Sequence, residues 1–150
     1  MIITFFGHSE IYDVGCIYKN VKKAIIENTK NIDKIIFYYG GYGAFDSLCA
    51  RACRSMCDFR TDCEVVFVSP YISQSHKSKI ENIMDTKLYD SILYPPLENV
   101  PLKFAISKRN EWMANQADLI IAYVEYTYGG AYKALEYAKK KEKHIINLAK

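Results

Sequence analysis

The chain has 150 residues, half of them hydrophobic, and a formal net charge of +3. That length fits one domain around a single core, and the mild charge permits a small anionic ligand while falling short of a nucleic-acid binder's basic footprint, so a nucleic-acid partner is not expected. No apolar run approaches the roughly 20 residues that span a bilayer, and "MIITFF" is too short for a signal-peptide core, so a cytoplasmic protein without a membrane partner is expected.

The predicted elements alternate. "IITFF" (2–6) reads as a buried strand, and "VKKAIIENTK" (21–30) continues a helix with Val21, Ala24 and Ile25 on one face. "KIIFYY" (34–39) is a second strand and 44–57 a helix. "EVVFVSP" (64–70) is a third strand, and 71–90 is ambiguous, with one helix around "HKSKIENIMD". "SILYPP" (91–96) is a short strand stopped by prolines and "PLKFAISKRNEWMANQ" (101–116) a helix. "DLIIAYV" (118–124) is a strand, "GAYKALEYAKKK" (130–141) a helix and "HIINLA" (144–149) a last strand. Continuous Val/Ile/Phe runs mean strands covered on both faces, and strand–helix alternation at this spacing predicts a doubly wound, mainly parallel Rossmann-like α/β fold.

In open parallel sheets, ligands sit beyond the carboxyl ends of the strands, near helix N-termini. Three such loops stand out: "GHS" (7–9), "GGYGAFD" (40–46) and "YTYGGA" (126–131). The second spends three of the chain's seven glycines in four positions, Gly40, Gly41 and Gly43. Glycines here let the backbone approach a ligand, and the helix start behind them favours an anion such as phosphate. Gly129 and Gly130 repeat the device. Neither loop fits a dinucleotide-binding or Walker A pattern.

The five cysteines do not suggest a metal site or a disulfide framework. Cys49, Cys53 and Cys57 share a helical face with Leu48, Ala52 and Met56 and read as small core residues, and no CxxC pair occurs. Neither a metal nor a cofactor is expected.

Taken together, Gly7-His8, "GGYGAFD", "KRNEWMANQAD" (108–118) and "GGAYKALEYA" (129–138) resemble the SLOG superfamily, the Rossmann-like group of Smf/DprA and LOG proteins, and within it the small YpsA-like branch. The resemblance runs nearly end to end and is weakest across 71–100. It implies a domain that binds nucleotides or nucleotide-derived molecules, as a sensor in some members and an enzyme in others, commonly paired as a homodimer through helices. Two positions depart from the pattern. Ser9 stands where the branch has arginine, and Ala131 where it has threonine, removing a phosphate clamp and a hydroxyl donor.

The candidate ligand-binding residues are Gly7, His8, Ser9, Gly40, Gly41, Tyr42, Gly43, Asp46, Arg109, Asn110, Gly129, Gly130 and Ala131. Arg109 is either a solvated surface residue or a planar fork for phosphate or carboxylate. Asn110 is a candidate brace for the glycine loops. Asp46 either braces its own loop or takes a ribose hydroxyl. Tyr42 and Tyr128 are loop residues able to stack on a base. Asp118 reads as structural.

Three functional readings follow. The first is a nucleotide sensor without catalysis. The second is a LOG-like phosphoribohydrolase that cleaves the N-glycosidic bond of nucleoside monophosphates, with Arg109 and Glu136 as its catalytic residues, although Tyr132 and Lys133 replace the Gly-Thr of the LOG loop. On the first reading Glu136 simply pairs with Lys140. The third, single-stranded DNA binding as in DprA, is disfavoured by the mild charge.

Overall fold

The computed structural model describes residues 1–71 and 87–149. Six strands form one sheet: β1 (Ile2–Gly7), β2 (Ile35–Tyr39), β3 (Cys63–Val68), β4 (Ser91–Leu93), β5 (Leu119–Tyr123) and β6 (Ile145–Asn147). Their order across the sheet is β4-β3-β2-β1-β5-β6, and every neighbouring pair is parallel. The fold is therefore an open, Rossmann-like α/β sheet, as the strand–helix alternation predicts.

Four described α-helices cover the two faces: α1 (Val14–Asn28), α2 (Ala44–Cys57), α3 (Ala105–Gln116) and α4 (Gly130–Lys140). The side-chain period of 2 in β1 divides the core. Ile3 and Phe5 join Val21 and Ile25 of α1 and Leu48, Ala52 and Cys53 of α2. Phe6 points the other way, to Met113 of α3 and Ala134 and Ala138 of α4. Thr4 is fully buried on that second side, and its hydroxyl donates to the Tyr38 carbonyl (2.9 Å), so no donor is stranded. Asp118 ties the start of β5 to β1, accepting from the Ile2 amide at 2.7 Å.

Some predicted boundaries shift. The helix expected over 101–116 begins as a 3-10 turn (Leu102–Phe104) before α3, a common form for a helix N-terminus. The expected helix around 76–85 lies outside the described residues. No helix among the described residues is long and apolar enough to cross a membrane.

The cysteine reading needs one correction. Cys49 and Cys53 are buried thiols, but Cys57 forms a disulfide with Cys63. Helical periodicity places Cys57 on the core face of α2. It does not reveal that β3 starts beside the end of that helix, with the two Cα atoms 5.1 Å apart. Disulfides are uncommon in reducing compartments, so the cytoplasmic expectation gains no support from this bond. Among the described residues, no three His, Cys, Asp or Glu side chains come together to hold a metal.

Candidate functional site

The strand order reverses between β1 and β5. The chain runs outward from β1 through β2, β3 and β4, then returns to lay β5 on the other side of β1. The helices after β1 and β5 pack on opposite faces, which parts the loops and opens a crevice at the carboxyl edge. A cavity of about 450 Å³ occupies that crevice, within the range of small-ligand sites.

Its walls gather many of the sequence candidates: Gly7, His8, Ser9, Tyr42, Asp46, Arg109, Asn110, Gly129, Gly130 and Ala131. Gly40, Gly41 and Gly43 are not among the lining residues. Glu136 is not either; it pairs with Lys139 (3.1 Å) on the surface, rather than with Lys140. Glu10, Tyr12, Ile106 and Tyr126 line the cavity without having been singled out as site residues. For Ile106 the available signal was its place three residues before Arg109 on one helical face.

The loop after β1 is fixed first. His8 Nε2 accepts hydrogen bonds from the amides of Glu125 (2.8 Å) and Tyr126 (3.4 Å), stitching the β1 loop to the β5 loop. An imidazole that accepts at Nε2 is neutral and carries its proton on Nδ1. Burial lowers its pKa below the ordinary 6.5, opposed in part by the Glu125 carboxylate.

The same loop then closes the start of α2. The Ala44 amide donates to the Ser9 carbonyl (2.9 Å) and the Phe45 amide to the His8 carbonyl (3.4 Å). Gly43 caps the helix at φ +103°, and a Cβ there would lie 2.8 Å from the Ser9 Cα. Glycine is required by both conformation and space. Gly40 serves a second close approach, since a Cβ on it would meet the Arg109 guanidinium at 2.8 Å. The crowded glycines of 40–43 thus let this loop pack against the protein's own Ser9 and Arg109.

Arg109 is only 2% exposed, which rules out the solvated reading. Its Nη1 donates to the carbonyls of Gly40 (3.0 Å) and Val68 (2.7 Å), joining the carboxyl ends of β2 and β3. Its Nε donates to Asn110 Oδ1 at 3.0 Å, so Asn110 braces the arginine and not the glycine loops. Tyr42 packs on the guanidinium at 5.7 Å. Nη2 makes no hydrogen bond among the described residues, and Arg109 forms part of the cavity wall. Asp46, in the first turn of α2, accepts from the Tyr42 amide at 3.2 Å. Burial pushes its carboxyl up to about 7, against the opposing pull of Arg109 and that amide.

The start of α4 differs. Gly129 caps it at φ +92°, and neither Gly129 nor Gly130 has any atom within 4 Å of where a Cβ would sit. The amides of Gly130, Ala131 and Tyr132 donate no hydrogen bond among the described residues. These donors carry the positive end of the helix dipole, and two of the residues that bear them, Gly130 and Ala131, line the cavity.

No protein-family model and no curated protein sequence matches the chain. Solved structures do. DNA processing protein A (DprA) of Streptococcus pneumoniae superposes with a TM-score of 0.65 at 17% identity, covering 95% of this chain and 48% of that one. The structure describing the single-stranded DNA binding mode of DNA processing protein A from Helicobacter pylori gives 0.64 at 16%, covering 97% and 63%. The fold is that of DNA processing protein A. The likeness is one of fold, and this chain spans less than two-thirds of either protein. One expectation is overturned. A modest net charge does not make a nucleic-acid partner unlikely, because a protein of this fold binds single-stranded DNA. Net charge is a property of the whole chain, whereas a strand-binding surface needs only a local field.

Proposed function

We propose that the crevice between the β1 and β5 loops binds the phosphate of a nucleotide or nucleotide-derived ligand, and that the protein acts as a binding module of the sensor kind. The observation that carries this reading is the open start of α4. At that helix N-terminus Gly130 and Ala131, whose amides have no partner among the described residues, line a cavity whose wall includes the buried cation Arg109. Helix dipole, free donors and a desolvated guanidinium all favour an anion. Burial raises the Asp46 carboxyl to about 7, so it carries much less negative charge toward an anion than an ordinary carboxylate does. The sequence motifs shared with the YpsA-like branch support a nucleotide-type ligand. The hydrolase reading is weaker, because Glu136 lies outside the cavity and is held by Lys139.

A thermal-shift panel of nucleoside monophosphates, cyclic dinucleotides and a short oligo-dT tests the reading on the wild type and on Gly130→Asp. The oligonucleotide belongs there because the Helicobacter pylori protein binds single-stranded DNA. Gly130 has open space at its Cβ position, and aspartate in a first turn favours the helix, so the variant should fold normally. Its carboxylate would occupy the anion's place. The ligand-induced rise in melting temperature, which follows from mass action, should vanish. A folded Gly130→Asp that keeps the full shift overturns the proposal.

A further inference from the structure

The β5 loop holds an aromatic assembly that neither the fold nor the phosphate site requires. Tyr126 leans on His8, with ring centroids 4.4 Å apart and planes at 31°, and stacks on Tyr128 at 5.3 Å and 11°. Tyr126 is 42% exposed and Tyr128 69%, and both line the cavity. Tyr128, the more exposed of the two, buries little surface on folding. The order of the pair comes from beneath, where His8 is fixed by the two amides it accepts. Of the other loop tyrosines that line the cavity, Tyr42 is turned inward against Arg109 and Tyr71, while Tyr12 is exposed in the β1 loop, away in sequence from the α4 start.

Tyr128 immediately precedes Gly129, so this exposed ring and the open amide cradle are adjacent in the chain. We propose that Tyr128 is the stacking platform for the base of a purine mononucleotide whose phosphate sits on the α4 start. This rests on the phosphate reading above and adds the class of ligand. Every base has a π-face, but the two fused rings of adenine or guanine cover more of a tyrosine than cytosine or uracil does. A sugar phosphate or free phosphate would leave the stack bare.

Calorimetric titration of AMP, GMP, UMP and ribose 5-phosphate into wild type, Tyr128→Ala and Tyr128→Phe separates the two layers of the argument. A purine nucleotide should bind the wild type roughly five- to 150-fold more tightly than ribose 5-phosphate, the range that base stacking supplies. Tyr128→Ala should erase that gap with ribose 5-phosphate affinity unchanged, and Tyr128→Phe should retain it. Equal affinities for AMP, GMP and ribose 5-phosphate, or a gap that survives Tyr128→Ala, overturns the platform and leaves the phosphate site standing. UMP binding as tightly as both purines overturns the purine assignment. If none of the four binds, the phosphate reading fails and the platform with it.

Discussion

The starts of α2 and α4 share a backbone geometry and little else. Each follows a parallel strand and is capped by a glycine, Gly43 at φ 103°, ψ 166° and Gly129 at φ 92°, ψ 175°, a region that only glycine visits freely. At α2 the β1 loop leans over the helix and takes the first two amides on its own carbonyls. At α4 the corresponding amides meet the cavity. The position of each loop relative to the strand reversal explains the difference. α1 and α2 pack on the same face of the sheet, so the β1 loop closes over the start of α2. α4 packs on the opposite face across the switch point, where the helix starts diverge although His8 still ties the β1 and β5 loops. A glycine-rich helix start therefore signals close backbone approach, and the partner is set by topology.

The largest test of this contrast is Arg109→Ala, which removes the brace beneath the closed loop. It would strand the Gly40 and Val68 carbonyls and leave a cavity, lowering stability by about 3–5 kcal/mol in urea unfolding. A loss under about 1 kcal/mol would show that the brace is dispensable. Arg109→Lys keeps a charge but not the planar fork, so it should recover only part of the loss.

Next comes a matched pair. Gly43→Ala forces a side chain into a glycine-only conformation against the Ser9 backbone and should cost about 2–4 kcal/mol. Gly130→Ala enters open space in an ordinary helical position and should stabilise by about 0.4–1 kcal/mol. Equal signs for the two changes would break the comparison.

The far end of α2 is a control remote from both starts. Opening the Cys57–Cys63 loop with Cys57→Ser should cost about 2 kcal/mol, as expected for closing so short a loop. Nucleotide-induced stabilisation should persist. Its loss would tie the disulfide to the site.

The smallest effect is with pH. Asp46 holds its proton up to about 7 in the folded protein against an ordinary 3.8, so between those values the folded state binds more protons. Stability from this group is present at low pH and fades as pH rises through 7. His8 acts in the opposite sense. Its folded pKa lies below 6.5, so its contribution is present above that value and fades as pH falls. Protonation would also break its bonds to the Glu125 and Tyr126 amides. Anion binding should therefore peak near neutrality and fall above pH 7 as Asp46 ionises. Asp46→Asn should remove the alkaline limb alone, and a profile flat from pH 5 to 9 in the wild type would discount both groups.

Much of this protein is legible along the chain, because apolar periodicity and turn chemistry are local. The α2 bounds 44–57 follow from the sequence, as do the alternation of strands and helices and the three loops at the carboxyl edge. Side-chain fates depend on distant neighbours. Arg109 reads as either a surface residue or a ligand fork until α3 packs it beneath Gly40, 69 positions away. His8 reads as a lone histidine until β5 brings the Glu125 amide to it across 117 positions. Cys57 reads as a core residue until β3 presents Cys63. The two glycine loops look alike in sequence because both need the same backbone conformation. Only the order of strands in the sheet, which no local pattern encodes, closes one against the protein and leaves the other facing the crevice.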